Sequence, residues 1–148
     1  MHILDNHLLM REIIMEHYKR PLFKKTPENP EKYTAIHMDS PNCIDDINIF
    51  LLIENNIVKE VFFDGVACAI ATASTDIMAD MMTGKTVKEA ENLIENYLNM
   101  LYERPYDKDT LGEAIVFINT SKQAARIKCA TIGWEGVKKG ITETNNGE

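Results

Sequence analysis

The sequence predicts an α+β domain, a small antiparallel three-stranded sheet packed with four to five helices. Two stretches rich in β-branched and aromatic residues, 47–53 and 57–63, are separated by Glu54-Asn55-Asn56, the pattern of two strands around a tight turn. After Asp64-Gly65 the period changes to helical, and residues 68–82 are rich in Ala and Met and contain neither Pro nor Gly. The chain has 148 residues, 45% apolar and 26% charged, enough for one core and cramped for two, so residues 1–148 are read as a single domain.

Residues 6–18 place Leu9, Ile13, Ile14 and His17 at helical spacing, with Asp5 or Asn6 as N-cap, and predict an amphipathic helix. Residues 19–30 carry Pro21, Pro27 and Pro30 among charged side chains. They leave the helix and run extended over the surface as a linker without catalytic content. The 47–63 hairpin needs a further partner, because an isolated hairpin is marginal in water, and residues 33–38 supply a third strand. The helix from Cys68 stops before Gly84, which serves as C-cap. Thr86-Val87-Lys88-Glu89 matches a capping box and opens a helix to about Tyr102. Arg104-Pro105 breaks it, residues 111–118 form a short helix, and residues 121–128 are a polar connection or a helix start. A final helix from about Cys129 to Lys139 ends at Gly140, with Lys138 and Lys139 suiting the dipole. Gly133 and Gly136 inside it lower its intrinsic helical propensity, and residues 142–148 fray.

Sixteen Lys and Arg against 23 Asp and Glu give a formal charge of −7, which disfavours nucleic acid and anionic membrane surfaces and favours proteins or small molecules as partners. Acidic residues interrupt the apolar runs well short of the roughly 18 residues a membrane span needs, and no basic segment precedes an apolar one at the start. No Gly-rich phosphate loop, HExxH or GxSxG is present. The odd number of cysteines, Cys43, Cys68 and Cys129, excludes complete pairing within one chain and points to a reduced, cytoplasmic compartment.

Each thiol falls at a boundary between elements. Cys43 lies in Ser40-Pro41-Asn42-Cys43-Ile44-Asp45, where Pro41 favours an exposed turn. Cys68 and Cys129 are each read at the mouth of a helix, where unpaired amides and partial positive charge lower a thiol pKa, so position alone activates two of the three. Asp45, two residues after Cys43, projects to the same side and offers a fourth ligand. Three thiolates and a carboxylate suit tetrahedral zinc, and thiolates also hold iron–sulfur clusters. No CxxC pair exists, so spacing alone favours inert core cysteines over ligands. His17 reads as a packed residue on the apolar helix face, and Met78, Met81, Met82 and Met100 read as core.

Four motifs, taken in order, carry a resemblance. They are His17-Tyr18-Lys19-Arg20-Pro21, Asn42-Cys43-Ile44-Asp45, Gly65-Val66-Ala67-Cys68-Ala69-Ile70-Ala71-Thr72-Ala73-Ser74, and Arg126-Ile127-Lys128-Cys129-Ala130-Thr131-Ile132-Gly133-Trp134. Together, over about residues 8–140, they resemble the U-type iron–sulfur assembly proteins, the IscU, NifU N-domain and SufU family. Lys128 stands where the IscU branch has His, and the stretch from Gly84 to Cys129 is longer than in IscU-like chains, so the chain is similar to the SufU branch. The resemblance implies a SufE/NifU-like fold with helices on one side of the sheet, and a zinc site of Cys43, Asp45, Cys68 and Cys129. It also implies sulfurtransferase chemistry in iron–sulfur cluster biogenesis: a SufS-like cysteine desulfurase delivers persulfide sulfur to Cys43, and Arg126 pairs near the site. The alternative it implies is a scaffold that builds a transient [2Fe–2S] cluster, with its iron, on the same ligands and passes it to apo iron–sulfur proteins. A third reading is a zinc-stabilised domain without turnover. The chain departs from the family pattern at Ile44 and Ala67, where glycine is usual, and a side chain forced to positive φ there would strain the loop.

Overall fold

A computed structural model describes residues 6–40 and 44–146, and its elements follow the order α1 (His7–Lys19), β1 (Thr34–Asp39), β2 (Asp46–Glu54), β3 (Ile57–Val66), α2 (Ala69–Met82), α3 (Val87–Leu101) and α4 (Ala124–Asn146). Two 3₁₀ segments, Lys108–Thr110 and Gly112–Lys122, fill the span between α3 and α4. The fold is α+β, with an antiparallel sheet in the order β1-β2-β3. Asn6 caps α1 by accepting from the Leu9 amide at 2.9 Å, as its short polar side chain suits.

The hairpin turn is Asn55-Asn56, both at positive φ (53° and 64°), the left-handed pair that a two-residue type I′ turn requires and that Asn tolerates. Alternation along β2 buries Ile47, Ile49 and Leu51 on one face. Against that face lies α4, and its glycines explain the contact: a Cβ at Gly136 would stand 2.3 Å from Ile49 Cδ1, and one at Gly140 would stand 2.6 Å from Ile36 Cδ1. Gly133, Gly136 and Gly140 therefore form the stripe along which the helix approaches its neighbours. Close approach, which propensity does not register, keeps this segment helical.

Two sequence expectations are corrected here. The last helix begins at Ala124 and runs to Asn146, so residues 124–128 are helical, Gly140 is an interior residue, and α4 continues through the segment expected to fray. The short helix expected at 111–118 is present and is 3₁₀. Leu111, Ala114, Phe117 and Thr120 are all buried, a repeat of three that matches the 3₁₀ period. The 19–30 segment is more than a linker, because the Phe23 carbonyl accepts from the Phe63 amide at 3.1 Å and lays the segment along β3. There Phe23 and Tyr33 pack against Phe62, with Lys25 Nζ over the Phe62 ring. The capping box at Thr86 and Glu89 forms as read, and Gly84, at φ 90°, ends α2. Among the described residues no helix is long and apolar enough to cross a membrane.

Candidate metal centre

The sheet register places the first two side chains of the centre. Asp46 pairs with Val66 and Ile47 with Gly65, so Asp45, just before β2, stands opposite the chain that leaves β3 toward α2. The close approach depends on Gly65, whose φ is 108° and whose Cβ, if present, would lie 2.3 Å from the Asp46 carbonyl oxygen. No side chain fits there. The Cys68 amide donates to Asp45 Oδ1 at 2.8 Å, and the Cys68 thiol lies 3.9 Å from Asp45 Oδ2. Cys68 is itself the N-cap of α2, its sulfur accepting from the Ala71 amide at 3.4 Å. The Ser40 amide donates to the Asp45 carbonyl at 3.1 Å and ties together the ends of the 40–45 loop.

Cys129 reaches the same place from α4. One carboxylate oxygen of Asp45 and the sulfurs of Cys68 and Cys129 all lie within 4.8 Å of one another. Asp45 and Cys129 are buried and Cys68 is half-buried. Two soft sulfur donors and one oxygen, converging from three elements, form a donor set that fits zinc or an iron–sulfur cluster. The buried Asp45 carboxylate has no ion-pair partner among the described residues, and a cation bound between the three groups would neutralise it.

Electrostatics correct one expectation. Burial pushes the Cys68 thiol up from its ordinary value and the Asp45 charge pushes the same way, against hydrogen bonds from the Ala71 and Ile70 amides and the Cys129 side chain. The helix terminus alone does not make this thiol a thiolate. A bound metal would supply the missing positive charge. Cys129 is the sixth residue of α4, not its first, so it owes nothing to the helix terminus and is placed by packing.

The structure thus brings together three of the four expected ligands, Asp45, Cys68 and Cys129. Cys43 lies outside the described residues, as does the turn expected at Pro41. Arg126 is exposed in the first turn of α4, three residues before Cys129 and so on a neighbouring part of the helix surface. Ala67 is not at positive φ, so replacing glycine there introduces no left-handed strain. Ile44 is 66% exposed beside the centre.

Two polar clusters pack around α2, and the sequence reading assigned their residues no hydrogen-bond partners. In the first, the Ser74 and Tyr97 hydroxyls both donate to the Ala130 carbonyl, at 2.6 and 2.8 Å, while Trp134 Nε1 donates to Ser74 Oγ at 3.0 Å. Tyr97 stacks on Trp134, centroids 3.9 Å apart, and burial raises its phenol far above the ordinary value, so it stays a donor. In the second, His17 Nδ1 lies 2.6 Å from Asp76 Oδ2, and its Nε2 bonds Glu113 Oε1. The Phe23 amide donates to Asp76 Oδ1 at 2.8 Å. With a carboxylate oxygen at each ring nitrogen, both nitrogens must donate, so His17 is an imidazolium. Burial alone would lower its pKa, but the hydrogen bonds to Asp76 and Glu113 and their charges outweigh it and raise the net value. His17 is therefore packed as expected and charged as well. The helical spacing that placed it gave no sign of its partners, which lie 59 and 96 residues away.

A family model for the NifU-like N-terminal domain matches residues 9–130. The zinc-dependent sulfurtransferase SufU of Bacillus subtilis (strain 168) is 31% identical over 140 residues, covering 94% of this chain and 93% of that protein. An iron–sulfur cluster assembly scaffold protein IscU of Streptococcus pyogenes is 32% identical over 145 residues, covering 97% of this chain and 88% of that protein. Among solved structures, FiSufU of Fervidobacterium islandicum AW-1, described as a candidate iron–sulfur cluster assembly scaffold for the SUF system, superposes with a TM-score of 0.83 at 28% identity. That match covers 88% of this chain and 94% of the other.

Proposed function

This chain belongs to the NifU-like N-terminal domain family, and from that premise we propose that it is a zinc-dependent sulfurtransferase of iron–sulfur cluster biogenesis. In this reading it accepts persulfide sulfur from a SufS-like cysteine desulfurase at Cys43 and passes it toward apo iron–sulfur proteins in the cytoplasm. The observation that carries the reading is the convergence of Asp45, Cys68 and Cys129 within 4.8 Å, with the Asp45 carboxylate buried and without an ion-pair partner among the described residues. The B. subtilis relative, named for zinc-dependent sulfur transfer, supports the same choice over nearly its full length.

Cys43 completes the set as fourth ligand. It lies two residues from Asp45, and two residues of chain span at most about 7 Å. Zinc, when bound, holds thiolates deprotonated and adds no redox chemistry of its own. The chain's residues then divide the work. Asp45, Cys68 and Cys129 keep the positions that their elements impose, and Cys43 is the ligand that leaves. The Cys43 thiolate attacks the outer sulfur of the desulfurase persulfide. The new bond joins Cys43 Sγ to that sulfur, the old sulfur–sulfur bond breaks, and the desulfurase cysteine departs as thiolate. Arg126, exposed one turn before Cys129, stabilises the anion passed between them.

The test combines metal analysis with a desulfurase assay on protein purified without added metal. The expected result is stoichiometric zinc, stimulated sulfide release, and a Cys43 persulfide by mass spectrometry, all abolished by chelation. Full stimulation and normal persulfide in Cys43→Ala overturns the reading. A second reading, transient [2Fe–2S] assembly on the same ligands, is favoured by the similarity to an IscU named as a scaffold and by the oxygen donor Asp45, which makes a cluster labile. An iron-dependent visible chromophore in place of zinc selects it.

A further inference from the structure

The Ser74–Tyr97–Trp134 cluster contributes nothing that an apolar core of the same shape could not, unless a particular geometry is required. All three residues are buried, as is Ala130. A serine inside a helix ordinarily bonds a carbonyl one turn back in its own helix. Ser74 instead donates across the interface, from α2 to the Ala130 carbonyl of α4, and Tyr97 adds a second donor to the same oxygen from α3. The carbonyl thus pinned belongs to the residue immediately after Cys129. One residue further along α2, the α2–α4 register is blocked sterically as well, since a Cβ on Gly133 would lie 2.5 Å from Thr75 Oγ1. Cys68 takes its position from the first turn of the same α2. Both thiols are therefore referenced to a single helix, one through its N-cap and the other through Ser74.

We propose that Ser74, Tyr97 and Trp134 are positioning residues for the metal centre: a buried clamp on the Ala130 carbonyl that sets the distance and direction of Cys129 Sγ relative to Cys68 Sγ. The proposal rests on the metal site put forward above. Fully satisfied buried networks rigidify what they hold, and ligand placement to about half an ångström separates a working metal site from a loose one. Trp134 acts at one remove, fixing the rotamer of Ser74 through its indole N–H and the ring of Tyr97 by stacking.

The test compares the full chain with Ser74→Ala, Tyr97→Phe and a control, Ile94→Val, which trims the buried face of α3 and removes no hydrogen-bonding atom of the clamp. Three quantities are read: zinc affinity by chelator competition, the visible bands of the Co²⁺ form, and, after metal removal, the rate at which phenylarsine oxide bridges Cys68 to Cys129, mapped by mass spectrometry. Loss of a supporting hydroxyl is expected to weaken zinc about tenfold, shift the Co²⁺ bands and slow bridging, while Ile94→Val leaves all three at wild-type values. Tyr97→Phe removes a single oxygen and keeps the stack, so it decides the matter if Ser74→Ala fails to fold. Wild-type affinity, spectrum and bridging rate in Tyr97→Phe overturn the clamp, as does an equal loss in Ile94→Val. Wild-type protein that takes up neither zinc nor Co²⁺ refutes the metal reading instead, and the bridging rate alone then decides the clamp.

Discussion

Asp45 and Asp76 are both buried carboxylates on either side of the α2 N-terminal half, at 1% and 0% exposure, yet their surroundings are opposite. Asp76 is complete: one oxygen accepts the Phe23 amide and the other faces the His17 imidazolium. Among the described residues Asp45 has one backbone donor, the Cys68 amide, and its second oxygen faces a thiol at 3.9 Å. A buried charge is tolerated when paired and costly when not. The difference separates a carboxylate satisfied within the fold from one that a bound cation would neutralise, and it does so without reference to any relative.

Removing each charge should therefore have effects of different size and sign. Asp76→Ala strands the His17 imidazolium and the Phe23 amide, and breaking a pair this buried is expected to cost about 3–5 kcal/mol in denaturant unfolding of the metal-free protein. Asp45→Asn keeps the acceptor for the Cys68 amide while removing an uncompensated charge, so metal-free stability should match or exceed wild type. The ranking reverses when metal is added. Free zinc at a hundredfold excess over its dissociation constant stabilises a folded host by about 2.7 kcal/mol. That gain should appear in the wild type and shrink in Asp45→Asn at the same zinc concentration. If Asp45→Asn instead destabilises the metal-free protein as much as Asp76→Ala does, the contrast between the two carboxylates is lost.

Much of this contrast was absent from the sequence, for identifiable reasons. The hairpin, the capping box and the N-cap at Asn6 were legible because their signals are local. The candidate residues of the centre were singled out by a resemblance, carried by motifs around Cys68 and Cys129 that lie within short windows, and nothing in their spacing showed that the sulfurs meet. The end of α4 was misjudged because Gly140 reads as a stop, and Gly133 and Gly136 as helix weakeners, in isolation, whereas Ile36, Thr75 and Ile49 need them small. Asp76 was invisible among the Ala and Met of α2. Its partners, His17 and the Phe23 amide, come from α1 and from the segment that follows it, and only tertiary packing joins them.

The charge state of His17 gives a pH-dependent form of the same comparison. Its folded pKa lies above the ordinary imidazole value of 6.5, because the hydrogen bonds to Asp76 and Glu113 outweigh the lowering effect of burial. A group raised in the folded state contributes its full stabilisation below the unfolded pKa and loses it as pH rises through the folded one. The stability difference between metal-free wild type and His17→Gln should accordingly be largest near pH 6 and decline at higher pH, with about 1–2 kcal/mol at stake. A difference that is flat, or that grows with pH, would mean that His17 is neutral in the folded protein.

The smallest effect concerns which of His17's two carboxylates does the holding. Glu113 bonds Nε2, but its side chain is 41% exposed against 0% for Asp76, so solvent screens its charge and its loss exposes little that was buried. An ion pair of that exposure is worth under about 1 kcal/mol. Glu113→Gln retains a side-chain oxygen that can still accept from Nε2. It should therefore lower stability by only a few tenths of a kcal/mol, while bringing the pH at which the His17 contribution fades closer to the ordinary imidazole value. Measured beside Asp76→Ala, it tests whether burial, and not the number of partners, makes a carboxylate essential here. If Glu113→Gln proved as damaging as Asp76→Ala, the weight given to burial at Asp76, and by the same reasoning at Asp45, would be misplaced.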